Sequence, residues 1–223
     1  MGLQKLPRFE TAEAFERSQG LNILNDQLHS AHCHACKARV RQLLIAIYGA
    51  CRTNHQFPWP SHPEDYASTA VGNHLERIRS ALGAWRGHRD FIRSARVPPC
   101  DYYIPDPPFI LEFDESQHFT RPRLVTLGLY PDNLDNGFSL SHWGRLCREI
   151  DAKDDRPFDR DERRAWYDTL RDLVPPLQGF RPTMRLYAEA YPWCSLDASL
   201  RPHREQFLTL LEHRLPDAVV KKT

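Results

Sequence analysis

One segment, at positions 109–114, constrains the fold of this chain more than any other. It reads Phe-Ile-Leu-Glu-Phe-Asp. Because successive side chains of a strand point to opposite faces, the two phenylalanines and Leu111 share one face, while Glu112 and Asp114 share the other. Two like charges so close in a half-buried strand cost free energy unless a cation lies between them. The segment therefore predicts a strand with one apolar face and one acidic face.

A second short run, Asp101–Ile104, precedes this strand across the proline-rich turn 105–108. The pair predicts a hairpin that returns Asp101 to the neighbourhood of Glu112. Together with Asp114, these carboxylates would suit Mg²⁺ or Mn²⁺, which prefer oxygen ligands and keep waters for substrate phosphates. Such an ion polarises a phosphoryl oxygen and lowers the pKa of an attacking water. The alternative is an edge strand with a solvated face, where the charges only discourage aggregation.

The remaining elements follow from apolar periodicity. Helices are predicted at about 37–50 and 68–94, near Trp143–Ile150, from a capping box at Asp159 and Glu162 through Leu173, and along Phe207–Leu215; further strands are predicted at 124–130 and Met184–Tyr191. A polar, proline-bearing stretch at 53–65 predicts a division into an N-terminal helical segment, 1–65, and a second domain, 66–223. The mixture indicates an α/β fold with a mixed sheet flanked by helices.

Asp101, then Glu112-Phe-Asp114, then Gln117-His118 resemble the PD-(D/E)XK nuclease superfamily, and its very-short-patch-repair-type branch in particular. The resemblance covers about 75–195. It implies a restriction-endonuclease-like fold and an endonuclease that hydrolyses DNA with Mg²⁺, held by Asp101 and Glu112. Asp114 stands where that superfamily has a lysine, so Gln117 or His118 is the candidate for positioning water or phosphate. A histidine has a suitable pKa for a general base, although a surface histidine after a strand is an equal alternative.

A run of arginines predicts the nucleic-acid contact. Between 77 and 96 the proposed DNA-binding side chains are Arg77, Arg86, Arg89, Arg93 and Arg96. Such a helix would neutralise backbone phosphates and make DNA affinity salt-dependent. The alternative is an ordinary amphipathic helix with an arginine-rich outer face.

A cysteine and histidine pattern at the N-terminal side predicts a structural zinc site. Cys33 and Cys36 precede the first helix, and Cys51 and His55 follow it, giving C-x2-C-x14-C-x3-H. A helix of about 13 residues is about 20 Å long, so the two pairs share one ion only if the chain doubles back. The alternative is a set of buried thiols at the helix ends.

No apolar run approaches the roughly 20 residues that span a bilayer, and the first residues lack a secretory signal pattern. We therefore expect a cytoplasmic protein without a membrane partner. The formal net charge of +1 provides no global argument for a nucleic-acid partner. The oligomeric state stays open, with a homodimer among the alternatives. The competing hypothesis for function is a non-catalytic, zinc-containing protein that binds nucleic acid or a partner through a degenerate nuclease core.

Overall fold

A computed structural model of the protein describes residues 34–212, and these residues fall within one compact unit. The helices are α1 (His34–Tyr48), α2 (Gly72–Trp85), α3 (Arg121–Leu127), α4 (Leu140–Ile150), α5 (Arg160–Leu177) and α6 (Arg201–Glu212). The strands are β1 (Arg52–His55), β2 (Cys100–Pro105), β3 (Pro108–Asp114) and β4 (Met184–Tyr187). The predicted boundary at residue 65 does not separate two units among them. The predictions for residues 1–33 and for the end of the last helix lie outside the described residues.

The four strands form one mixed sheet in the order β1–β2–β3–β4. The first three strands are antiparallel, and β4 runs parallel to β3. The prediction of an α/β fold with a mixed sheet and flanking helices is therefore confirmed. The hairpin of β2 and β3 is also confirmed, with Tyr102 opposite Leu111.

Each face of the sheet carries its own apolar core. On one face Phe109, Leu111 and Phe113 pack with apolar residues of α1 and α6, so these helices cover that side. On the other face Ile110 packs with apolar residues of α2, α4 and α5. Glu112 and Asp114 share this second face by alternation along β3. Two acidic side chains consequently lie between the sheet and a layer of helices, away from water.

The predicted strand at 124–130 is wrong, because residues 124–127 belong to helix α3 and the remaining three residues form no strand. Thr120 caps the helix by accepting a hydrogen bond from the backbone N–H of Arg123, and Pro122 lies in the first turn. Helical spacing also lets the buried guanidinium of Arg123 reach Thr126 and Tyr130. The cap and this internal hydrogen-bonding outweigh the strand preference of the β-branched residues in the segment.

Two further element predictions need correction. Helix α2 ends at Trp85 instead of continuing to 94, and Gly87 follows with a φ of +80° that favours glycine. Strand β1 was not predicted, since Arg52–His55 is short and polar; it forms the edge of the sheet beside β2.

Among residues 34–212, no helix has the length and apolar character needed to cross a bilayer.

Candidate metal and nucleic-acid site

Asp101 lies where β2 approaches the acidic part of β3. Its Oδ2 accepts a hydrogen bond of 2.9 Å from the backbone N–H of Phe113. Tyr102 is paired with Leu111, and continuing this register places Asp101 opposite Glu112. The side chain of Asp101 is partly exposed, at 28%. The hairpin therefore brings one solvent-accessible carboxylate to the strand position opposite one buried carboxylate.

Lys37 of α1 supplies a positive charge beside Asp101 that the sequence analysis did not anticipate. Its Nζ is 3.7 Å from Asp101 Oδ1 and 3.1 Å from Glu115 Oε1. Partial burial lowers the pKa of Lys37, but the charges of Asp101 and Glu115 outweigh it and leave this pKa above its usual value. The ammonium group is consequently held in its charged form at the mouth of the hairpin.

Glu112 is buried, with 3% of its surface exposed. Its Oε1 lies 3.3 Å from Nε of Arg171, yet neither atom has a hydrogen-bond partner among the described residues. Burial raises the pKa of Glu112 to about 8, and the charge of Arg171 offsets only part of this effect. A buried carboxylate oxygen without a hydrogen bond raises the free energy of the folded state. Binding of a proton or a cation at that oxygen lowers this cost.

Asp114 does not fit the metal-ligand role that the sequence predicted. Its Oδ1 accepts a hydrogen bond of 2.6 Å from Arg185, and its Oδ2 accepts one of 2.7 Å from the indole Nε1 of Trp143. Burial would raise the pKa of Asp114, but the charges of Arg185 and then His118 hold it below its usual value. Both oxygens are therefore engaged by the protein, and the positive charge beside Asp114 is a guanidinium where the sequence predicted a metal ion.

Asp114 belongs to a buried network of acids and guanidinium groups between the sheet and helix α5. The acids are Glu112, Asp114, Asp168 and Asp172, and the guanidiniums belong to Arg123, Arg171 and Arg185. Arg185 of β4 contacts three of these acids, and it is paired with Glu112 in the strand register. Four carboxylates face three guanidiniums, so the network carries one excess negative charge unless a proton or another cation is added.

His118 and Gln117 lie on a short 3₁₀ turn, Ser116–His118, directly after β3. The Nδ1 of His118 is 3.0 Å from Asp168 Oδ2 and 3.5 Å from Asp114 Oδ1. The side-chain amide of Gln117 donates to Glu115 at 2.5 Å, and its backbone carbonyl accepts from Arg164. His118 is thus oriented by a buried carboxylate, an arrangement that suits a proton-transfer or phosphate-binding group.

A divalent cation at the hairpin would have Asp101 and Glu112 as its candidate protein ligands, because Asp114 is engaged elsewhere. Within residues 34–212 no group of three or more histidine, cysteine or acidic side chains is arranged to hold a metal ion. Mg²⁺ commonly binds to one or two protein carboxylates and takes its other ligands from water and substrate phosphates. Oε1 of Glu112 makes no hydrogen bond, although it lies 3.3 Å from Arg171, and the Asp101 side chain is partly exposed.

The described residues do not assemble the predicted zinc site. Cys33 lies outside them, and Cys36 is on α1, where it is buried in the core between this helix and the sheet. Helix α1 is continuous to Tyr48, so it places Cys36 about 18 Å from its own C-terminal end. Cys51 and His55 follow the helix in sequence, and the His55 ring stacks on Tyr103 in the neighbouring strand. Among residues 34–212, Cys36, Cys51 and His55 do not form a group that could hold a metal ion.

The arginines predicted to contact DNA divide into two groups. Arg86 donates to Glu162 at 2.6 and 2.7 Å, and Arg93 donates to Asp159 at 2.8 and 3.0 Å. These ion pairs dock the loop after α2 on the start of α5. The predicted capping box of Asp159 and Glu162 is absent, because Asp159 makes no side-chain capping hydrogen bond. The two carboxylates accept from Arg93 and Arg86 instead. Arg86 and Arg93 thus have structural roles.

The other three predicted arginines, Arg77, Arg89 and Arg96, are exposed and make no ion pair with the described residues. They remain candidates for contact with an anionic partner. Since α2 ends at Trp85, only Arg77 of this group lies on a helix.

Comparisons of the chain with protein-family models, with curated proteins and with solved structures gave no significant match. The functional argument therefore depends on the geometry of the hairpin and its surroundings.

Proposed function

We propose that this protein is a divalent-metal-dependent nuclease that hydrolyses phosphodiester bonds, with DNA as its substrate. The observation that carries the proposal is the opposition of Asp101 and Glu112 on the β2–β3 hairpin, with an oxygen of Glu112 buried and lacking a hydrogen bond. We further propose that the fold is restriction-endonuclease-like, as the resemblance of the acidic motif implies. The mixed sheet flanked by helices supports this assignment at the level of architecture.

In this proposal Asp101 and Glu112 hold Mg²⁺ or Mn²⁺. When bound, the ion would polarise the phosphoryl oxygen and acidify the attacking water. Lys37 takes the place of the lysine that is missing from β3, since its ammonium group lies beside Asp101. It would stabilise negative charge that develops on the phosphate. His118, oriented by Asp168, would position water or the leaving group.

The test is a cleavage assay on plasmid, linear and single-stranded DNA and on RNA, with Mg²⁺ or Mn²⁺. We expect Asp101→Asn and Glu112→Gln to reduce cleavage to background, because each replaces a ligand charge by a neutral group of equal size. Glu149→Gln is the matched control, since this glutamate is exposed on α4. Equal cleavage by all four proteins, or cleavage by none, contradicts the proposed activity.

A second candidate function is a non-catalytic nucleic-acid-binding protein built on the same core. One observation favours it: Arg171 and Arg185 already supply positive charge to Glu112 and Asp114, so the strand can be stable without a metal ion. In that case DNA binding in the presence of EDTA would equal binding with Mg²⁺, and no cleavage would occur. The same set of variants distinguishes the two functions.

A further inference from the structure

A cleft lined by arginines opens beside the acidic hairpin. Its volume is about 270 Å³, and its lining includes His118, Arg160, Arg163, Arg164, Tyr167 and Arg171. Five of these residues come from helix α5. The cleft was not anticipated from the sequence, where the charged run at the start of α5 resembles an ordinary solvated helix face.

The arginines share one face of α5 because of their spacing. Arg160, Arg164, Tyr167 and Arg171 follow one another at intervals of four, three and four residues, and Arg163 lies beside this row. Residues three and four positions apart are neighbours on a helix surface. The helix therefore presents a row of arginines with Tyr167 among them, from its exposed first turn to the buried Arg171 at the sheet.

These side chains carry more positive charge than their partners neutralise. Arg160 and Arg164 share a single carboxylate, Asp154, at 3.1 and 2.5 Å. Arg163 reaches Asp159 at 3.6 Å, although Asp159 already accepts two hydrogen bonds from Arg93. Three guanidiniums of the cleft, together with that of Arg93 outside it, thus share two carboxylates. The planar donor groups of arginine match the oxygens of a phosphate, which a surplus of positive charge attracts.

The deep end of the cleft adjoins the proposed reaction site. Arg171 lines the cleft and its Nε lies 3.3 Å from Glu112 Oε1. His118 also lines the cleft, and its Nδ1 is bonded to Asp168, which leaves Nε2 as the ring nitrogen for a ligand. An anion in the cleft would therefore lie next to the carboxylates of the hairpin.

We propose that this cleft binds a backbone phosphate of a nucleic-acid strand, adjacent to the phosphodiester that is presented to Asp101 and Glu112. The inference rests on the proposed nuclease function and names the groups that recognise the substrate strand. The row along α5 fixes the position of the strand, and Arg171 marks its inner end. Sequence-independent contact with the backbone is what such a row provides.

The test measures binding of fluorescent single- and double-stranded DNA in EDTA, where cleavage does not occur. Arg160→Gln/Arg163→Gln removes two partly exposed side chains of the cleft and leaves Arg164 and Arg171 in place. Arg145→Gln/Arg201→Gln is the charge-matched control, because these arginines are exposed on α4 and α6. We expect the cleft variant to bind DNA at least about ten-fold more weakly than the control variant. Its salt dependence should fall by about two counterions.

A parallel arm measures thermal stabilisation by inorganic phosphate, which distinguishes a small phosphate ligand from a strand. Stabilisation by phosphate that the cleft variant loses, with DNA binding equal to that of the control, would overturn the assignment to nucleic acid. Equal DNA binding by both variants without any effect of phosphate would overturn the site altogether. Circular dichroism and melting of each variant exclude misfolding as the cause of lost binding.

Different experimental results contradict the proposed nuclease activity and the proposed phosphate-binding cleft. Loss of DNA binding by the cleft variant, in a protein that never cleaves, supports the cleft and contradicts the nuclease. Asp101-dependent cleavage that the cleft variant performs like wild type, with normal binding, supports the nuclease and contradicts the cleft.

Discussion

Substitution Glu112→Gln should change how the stability of this protein depends on pH. Burial raises the pKa of Glu112 from 4.5 to about 8, so the folded protein keeps a proton that the unfolded chain releases above pH 4.5. Between these values the unfolded state binds fewer protons, and the free energy of unfolding falls by about 1.4 kcal/mol per pH unit. The stability associated with this proton is complete below pH 4.5 and is lost as the pH rises to about 8.

Glutamine has the size of the protonated side chain and does not titrate. In EDTA, the wild type should therefore already be less stable than Glu112→Gln by about 1.4 kcal/mol at pH 5.5, one pH unit above the pKa of the unfolded side chain. By pH 8.5 this difference should have grown by about 3 kcal/mol more, since about 2.5 pH units of the titration separate 5.5 from 8. Comparing the two proteins at each pH cancels the titration of all other groups.

The assay is urea denaturation at pH 5.5, 7.0 and 8.5, followed by tryptophan fluorescence. Glu149→Gln serves as the control and should show no such pH-dependent difference, because this side chain is exposed. A difference between wild type and Glu112→Gln that stays constant within about 0.5 kcal/mol across the range would refute the reasoning. Adding Mg²⁺ at pH 8.5 should restore stability to the wild type but not to the variant if the ion binds Glu112.

Three other measurements test the structure. Asp114→Asn should lower the free energy of unfolding by about 3–5 kcal/mol in urea denaturation, because it leaves the buried Arg185 without its closest carboxylate; a loss below 1 kcal/mol would contradict that pairing. Arg86→Gln should cost about 2 kcal/mol in the same assay, since Glu162 is 0% exposed, whereas exposed Arg77→Gln should change stability by less than about 0.5 kcal/mol. Thr120→Ala should cost about 1 kcal/mol, seen as a lower Tm, because it removes the cap of α3; an unchanged Tm would contradict the capping role.

Local pattern was sufficient to predict the hairpin. Alternation along 109–114 and the proline-rich turn before it identified both strands and the face that Glu112 and Asp114 share. The same reasoning misassigned 124–130, because the β-branched residues of that segment are outweighed by a cap at Thr120. It also extended α2 too far, because apolar residues continue in register beyond the glycine that follows the helix.

The partners of the acidic residues could not be predicted, because they are distant in sequence. Arg185 lies 71 residues from Asp114, and Lys37 belongs to a helix that precedes both strands of the hairpin. A carboxylate at a half-buried position indicates that some positive charge lies nearby, but it does not distinguish a guanidinium from a metal ion. One signal was present: Asp168, Arg171 and Asp172 interrupt the apolar residues in the second half of α5, which is unusual for a helix that faces a core.

The charge network also affects how the chain acquires its structure during synthesis. Its members come from β3, α3, α5 and β4, so the carboxylates of β3 and α5 emerge from the ribosome before Arg185 does. Until that arginine arrives, packing α5 against the sheet would bury acids without their partner, at a cost of several kcal/mol. We therefore expect the layers to close late, after β4 has been translated. Nascent chains that end before residue 185 should remain sensitive to protease, and chains that include α6 should become resistant.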